Sequence, residues 1–400
     1  MKYKILLFLI LLFALFTRFF RLDYPPDFYF DEVYNAFTVQ EFVKGNKDAY
    51  EWFHTSPIKD TAYGWTHPPL AKLIDATGLL IFGNNAFGWR AINAFIGVAV
   101  IFLVFLISKE LFDQKVALLA AFLTSVDGLL LVQSRINMND IVFTFFALLT
   151  IYVFIKKTNL FILGISLGLT LATKWTGLYL WAALALWTAV KELKKKNLFI
   201  LFFSLFFIPV AFYILFYSQY FLLGGTWDNF LELQKQMWWY NTNLKATHDY
   251  GSAWWSWPLN LYPVWYFVEY QEDKMANIFA GGNPLIFWFG TVAVILTVWE
   301  AIKKRSAALF IILLGYFIFW LPWVASPRVM FLYHYTPSVP FLTITLGYQI
   351  NKIKNKYFLW SLIVLITAAF VLLYPFLTGI LLPKEWLNFF FLTNLSKNPF

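Results

Sequence analysis

Four hundred residues, 60% of them hydrophobic and only 13% charged, exclude an ordinary soluble globule, which carries about 25% charged residues. The 47 Phe, 22 Tyr and 19 Trp exclude disorder, because so much apolar surface offsets the entropy of ordering when buried. With no Cys there is no disulfide, thiolate metal site or thiol nucleophile, so chemistry falls to carboxylates, Arg, Lys and four His.

Apolar runs of about 20 residues, the length that crosses a bilayer, start at Ile5, Ala86, Val116, Met138, Leu160, Trp175, Leu198, Pro284, Ala307, Tyr335 and Tyr357. They predict an all-α polytopic membrane protein of eleven spans. With a cytoplasmic amino terminus, the inner segments are residues 1–4, 109–115, 156–159, 191–197, 303–306 and 351–356. These hold 16 of the 31 basic residues against four acids (Glu110, Asp113, Glu192 and the nearby Glu300), a net of +12, while the remainder sums to −3. The overall +9 is therefore an orientation signal and does not predict a nucleic-acid partner. Residues 5–17 imitate a signal peptide, but Arg18-Phe-Phe-Arg21 follows without a small-x-small cleavage site, which predicts a retained anchor.

Two long stretches break the hydrophobic pattern, 21–85 and 223–283, and both fall on the outer side. The chain divides into a seven-span amino-terminal catalytic core (1–222), an outer loop (223–283) and a four-span carboxyl-terminal region (284–400). Within the first stretch, an acidic start at Asp31-Glu32, apolar Val33 and Phe37, and a stop at Gly45 predict a helix lying along the membrane surface. A second amphipathic helix is predicted after His67-Pro68-Pro69, with Leu70, Leu73 and Ile74 on one side and Lys72 and Asp75 on the other.

Acids at a helix start are ordinarily explained by capping and the helix dipole. Neighbouring helical positions point about 100° apart, so at most one of Asp31 and Glu32 faces a reacting group. Other polar groups share that side of the membrane: His67, Arg90, Arg135 with Asp140, Lys174, Arg328 and His334. Singly, each has a plain explanation as a snorkelling cation, a cap or a member of the aromatic belt. Asp127, mid-span, is expected to pair with Arg135 two turns on. Together, cations beside a carboxylate suit a phosphate, held preferably by Arg, and a base that takes a proton from a nucleophile. A phosphate at a membrane points to a lipid carrier. Trp238-Trp239-Tyr240 and Trp254-Trp255-Ser256-Trp257 fit anchoring at the headgroup level or binding an extended acceptor, and stay outside the predicted site.

Phe30-Asp31-Glu32-Val33, His67-Pro68-Pro69-Leu70-Ala71-Lys72, Asp127-Gly128 through Gln133-Ser134-Arg135 to Asp140, and Lys174-Trp175-Thr176-Gly177 resemble, in order and spacing, the protein O-mannosyltransferases. Gly282-Asn283-Pro284 and Tyr333-His334-Tyr335-Thr336-Pro337 look like the same family's last third. The resemblance implies a GT-C type glycosyltransferase with amphipathic helices in its first outer loop. Its implied activity is inverting transfer of mannose from a dolichyl-type polyprenyl phosphate to Ser or Thr hydroxyls of exported proteins. It further implies Asp31 as base and Arg90 as essential, with Glu32 beside them in the catalytic set. Arg90, Arg135, Lys174 and Arg328 would bind the donor phosphate, His67 would either hydrogen-bond it or position the Asp31 loop, and Asp127, Asp140 and His334 would support them. Residues 223–283 are too short for the β-trefoil insertion of eukaryotic members, which implies a prokaryotic form in the plasma membrane with the site on the outer face.

No two acids lie two residues apart, and no His pair has zinc spacing or His-Glu-x-x-His, so the expectation is no metal and no cofactor. The expected partners are the lipid-linked donor, a polypeptide acceptor, membrane lipid and a second copy or paralogue. Other readings stay open: a transferase of this architecture moving another sugar, such as aminoarabinose, onto lipid or glycan, a noncatalytic lipid-phosphate subunit, and a transporter using Asp127, Arg135 and Lys174. Evident inverted repeats are lacking, and most polar motifs sit in loops, against the transporter.

Overall fold

A computed structural model describes residues 2–192 and 197–386; most of the expected inner segment 191–197 and the carboxyl end from 387 lie outside the described residues. The amino-terminal part contains α1 (Lys2–Phe19), α2 (Asn35–Val43), α3 (Leu70–Phe82), α4 (Ala86–Leu111), α5 (Gln114–Ser125), α6 (Gly128–Gln133), α7 (Asn139–Ile155), α8 (Leu160–Leu171) and α9 (Gly177–Glu192). Then come α10 (Leu198–Phe202), joined through a π-turn to α11 (Ile208–Leu215), α12 (Ser218–Leu222) and α13 (Trp227–Asn243). A hairpin of β1 (Val264–Gln271) and β2 (Lys274–Ala280) leads to α14 (Pro284–Lys304), α15 (Ala307–Trp320), α16 (Val339–Ile350), α17 (Lys356–Thr378) and β3 (Leu382–Pro383).

Every expected apolar run meets a helix, yet among the described residues five helices are long and apolar enough to cross a membrane: 86–111, 198–215, 284–304, 307–325 and 356–378. They carry exposed apolar side chains, as on α17, where Trp360, Val364, Leu365, Val371 and Leu372 face outward as lipid would require. The chain is an integral membrane protein. One of the shorter helices, α5, ends early because a polar residue stops it inside protein. The third run breaks after Ser125, where Asp127 accepts from Leu130 N at 2.9 Å and Asn283 N at 3.2 Å. Asp127 therefore caps α6 and ties it to the start of α14; it does not pair with Arg135, because the helix that would have placed them two turns apart ends at Gln133.

Helix α4 lies at the centre, packed on α1, α3, α5 and α7, while α16 packs on α5 and α14. Gly97 permits the close approach beneath Arg135, since a Cβ there would sit 2.1 Å from Ser134 Oγ. The first loop differs from expectation. Asp31 and Glu32 lie in a single 3-10 turn (Phe30–Val33), and α2 starts only at Asn35. Residues 35–39 are all buried, so α2 packs into the body and has no open polar face. Lys72 and Asp75, expected on the wet side of α3, are each 1% exposed, because α3 packs between α2 and α4. Burial pulls Lys72 down to about 8 and pushes Asp75 well above the carboxylate range, the Lys72 charge and the Asn93 amide opposing the latter.

Residues 223–283 hold more than a loop. β1 and β2 pair antiparallel, and the register skips Tyr266 between the pairs Trp265–Phe279 and Phe267–Ile278. Such a bulge re-aims the extra side chain. The hairpin packs on α6 and α17, which carries Tyr266 toward the first loop. Among the tryptophans, Trp257 is fully buried, whereas Trp238, Trp239 and Trp255 are exposed.

Candidate active site

The carboxylate of Asp31 is partly buried and accepts no hydrogen bond among the described residues. Burial, then the charge of Asp140, pushes it up to about 7, against the pull of Lys174 and Arg328. A carboxyl group titrating there takes a proton near neutral pH, which suits a general base. Helix-end and cationic stabilisation do not win at this position.

Glu32 has a different fate from its neighbour. It is completely buried, and its two oxygens accept parallel bonds from Arg90 Nε and Nη2, both 2.8 Å, with Asn137 N adding a third at 3.1 Å. Arg90 spends its remaining N–H groups on Leu22 O (3.1 Å), Pro25 O (2.7 Å) and Asp27 O (3.1 Å). All five guanidinium donors are thus used. The Glu32–Arg90 pair clamps the loop that presents Asp31, and Arg90 keeps no donor for a phosphate.

Arg135 is likewise turned inward. Its Nη1 donates to Thr17 O (3.2 Å), Arg18 O (2.8 Å) and Phe20 O (2.9 Å), and Nη2 donates to Arg21 O (3.1 Å). These are the orphan carbonyls around the end of α1, so Arg135 acts as its cap. The expectation that Arg90 and Arg135 face a donor fails geometrically, because backbone acceptors invisible in the sequence claim them.

The remaining predicted cations do come together. A cavity of about 310 Å³ is lined by His67, Lys174, Arg328 and His334, with Trp175, Trp238, Trp323 and Asn241 among its walls. This is at the lower end of the range for small-molecule sites, about 300–1,000 Å³. Lys174 Nζ donates to Asp140 Oδ1 at 2.8 Å, and its other two N–H have no partner among the described residues. Arg328 donates from Nη1 to Asn241 Oδ1 at 2.7 Å and lies over the Tyr240 ring, and its buried Nε has no partner among the described residues. His334 accepts from Phe331 N through Nδ1 (3.1 Å), which leaves the proton on Nε2, and its ring stacks on Trp323. His67 is depressed well below the usual histidine range by burial, then by Lys174, Lys72 and Arg328. It is neutral at pH 7 and offers hydrogen bonds without charge.

Two residues near Asp31 escape the sequence reading. Tyr266 stacks on Phe30 (centroids 3.9 Å apart) and its hydroxyl accepts from Gln133 Nε2 at 2.8 Å; Tyr333 meets Phe30 edge-on. The signal for the first was present: β-rich residues 264–271, the Glu272-Asp273 turn and residues 274–280 spell a hairpin. A larger cavity, about 750 Å³, opens at the far ends of α4 and α7, where the acid Glu110 is bonded to Lys156. Among the described residues that line it, the one carboxylate is the paired Glu110.

Comparison with known proteins agrees with this architecture. Residues 8–223 match the family model for dolichyl-phosphate-mannose-protein mannosyltransferase, and residues 226–391 match that for the carboxyl-terminal four-span region of protein O-mannosyltransferase. The polyprenol-phosphate-mannose–protein mannosyltransferase of Mycolicibacterium smegmatis is 26% identical over 92% of this chain and 88% of its own. The Saccharomyces cerevisiae protein O-mannosyltransferase Pmt1–Pmt2 complex, solved with its sugar donor, superposes with a TM-score of 0.75 at 15% identity, covering 95% of this chain and 90% of that one. ArnT from Cupriavidus metallidurans, bound to undecaprenyl phosphate, gives 0.61 at 14% identity, over 93% and 70%. The chain belongs to the dolichyl-phosphate-mannose–protein mannosyltransferase family and has the fold of the membrane GT-C glycosyltransferases.

Proposed function

We propose that the chain transfers mannose from a polyprenyl-phosphate donor to Ser or Thr hydroxyls of exported polypeptides, with inversion, and that Asp31 is the general base. The observation that carries this reading is a carboxylate with no hydrogen-bond partner among the described residues that feels the charges of Lys174 and Arg328, two cations that line one cavity, though Asp31 does not itself line it. The names of the mycobacterial relatives support the donor and the protein acceptor. The acceptor oxygen attacks the anomeric carbon as its proton passes to Asp31. The bond from that carbon to the phosphate oxygen breaks, and the polyprenyl phosphate leaves with the electron pair. Lys174 and Arg328 offset the charge that builds on the leaving group, in a cavity where water is partly excluded. His67 and His334 orient it as neutral hydrogen-bonding groups. The amino terminus is cytoplasmic and the site faces outward, a reading supported by the distribution of basic residues, and the short 223–283 segment supports a prokaryotic plasma membrane.

The test is labelled polyprenyl-phosphate mannose, a Ser/Thr peptide and the purified chain; failure to consume the donor while a phosphate-linked aminoarabinose is consumed would move the chain to another sugar. Removing the Arg328 charge (Arg328→Ala) is expected to raise the donor KM about tenfold or more, since a charge-assisted bond contributes about 1.5–3 kcal/mol. An unchanged donor KM would take Arg328 out of the phosphate site. The chemistry is also proposed to be metal-independent, because a leaving phosphate needs charge more than protonation and cationic side chains supply it. Initial rates with and without chelator should agree within about twofold; abolition by chelator would reject this.

A further inference from the structure

The first loop carries a second cluster of ligating groups. Asp48 lies in the turn Lys47–Tyr50, Glu51 follows it, and His54 folds back onto both. His54 Nε2 lies 3.5 Å from Asp48 Oδ1 and 3.0 Å from Glu51 Oε2, and one such atom from each residue falls within 4.8 Å of the others. Donors about 2.0–2.1 Å from a tetrahedral ion stand roughly 3.4 Å apart. The two edges at His54 bracket that spacing.

Glu51 supplies the second observation. The residue is 1% exposed and its Oε2 accepts no hydrogen bond from the described residues, while Oε1 takes the Tyr220 hydroxyl at 3.2 Å and faces Lys47 Nζ at 3.6 Å. An imidazole lone pair 3.0 Å from a carboxylate oxygen is repulsive unless positive charge sits between them. Either a proton or a metal ion meets that need. The side chains of Asp48 and His54 are 46% and 37% exposed, so an ion can enter from solvent. Asn46 Oδ1 accepts from Asp48 N at 3.1 Å, which fixes the turn that presents this carboxylate. One imidazole and two carboxylates suit a zinc-class ion better than magnesium or calcium, which prefer oxygen alone.

We propose that Asp48, Glu51 and His54 bind one divalent transition-metal ion of the zinc class, with water completing its shell. The ion locks residues 48–54 against Tyr220 of α12, joining the first loop to the segment that follows α11. None of the three residues lines the cavity beside Asp31, so the proposal stands apart from the transfer mechanism.

The test uses the full chain, purified without a histidine tag and stripped with chelator, then titrated with Co²⁺ and afterwards Zn²⁺. One equivalent of Co²⁺ is expected to give visible ligand-field bands that Zn²⁺ displaces, and either ion should raise the thermal midpoint. His54→Ala and Asp48→Asn alter exposed side chains and leave the fold intact; each should weaken Co²⁺ binding tenfold or more and remove the thermal shift. Absence of the bands in the unaltered protein makes the occupant a proton and overturns the proposal. Bands or stabilisation that persist undiminished in both variants place the ion elsewhere and overturn it equally.

Discussion

Asp31→Asn is expected to lower kcat by about 10²–10⁴-fold, the usual contribution of a positioned general base, with donor KM changed by less than about threefold. The amide keeps the shape of the side chain in a position where no protein hydrogen bond depends on its charge. The unaltered enzyme should also carry the signature of this group in its pH profile. Asp31 accepts a proton only when ionised, and burial and Asp140 place its titration at about 7. So kcat/KM should rise about tenfold per pH unit below 7 and flatten above it. A carboxylate at its ordinary value near 3.8 would give a flat profile over the same range. With donor bound, the phosphate adds a negative charge nearby, so the limb in kcat should lie at higher pH than the limb in kcat/KM. Retention of near-normal kcat in Asp31→Asn removes the base.

Arg90→Met should destabilise the protein by about 3–5 kcal/mol, because it leaves Glu32 as a buried charge with no partner. The double variant Glu32→Gln with Arg90→Met should recover a substantial part of that loss, since the uncompensated carboxylate is gone. Thermal unfolding in detergent measures both. This pattern separates a clamp from a phosphate ligand. Were Arg90 a donor-binding residue, the single variant would raise donor KM with little change in midpoint, and neutralising Glu32 would rescue nothing. The clamp account ties the effect to function through Asp31, one residue away: the Leu22, Pro25 and Asp27 carbonyls that Arg90 gathers belong to the loop that presents the carboxylate.

The helical membrane body was legible because hydrophobic runs of bilayer length are a strong signal, and each expected run overlaps a helix in the structure, though five of the described helices are long and apolar enough to cross a membrane. Of the residues the sequence singled out, the fold brings Lys174, Arg328, His67 and His334 around one cavity. Their division of labour was not. Asp31 and Glu32 are adjacent and chemically alike, and only the fold decides that one meets Arg90 bidentately while the other stays free. Arg90 and Arg135, expected at a donor phosphate, turn inward for a related reason: apart from Glu32, their acceptors are backbone carbonyls, which every residue carries and no sequence pattern marks. The Asp127–Arg135 pairing assumed a continuous helix, and the break after Gln133 removed the periodicity on which it stood. Burial of Lys72 and Asp75 shows the same limit, since amphipathic spacing on α3 identifies two faces without saying that protein covers the polar one. Tyr266 reaches Phe30 through a bulge, a one-residue shift that strand pattern alone does not locate.

The most direct measurement is a structure of the chain with polyprenyl-phosphate mannose bound. The account predicts phosphate oxygens within hydrogen-bond distance of Lys174 Nζ and the Arg328 guanidinium, with the Asp31 carboxylate on the opposite side of the anomeric carbon and Arg90 still paired to Glu32. A phosphate seated on Arg90 or Arg135, or an Asp31 carboxylate turned away from the sugar, would contradict it.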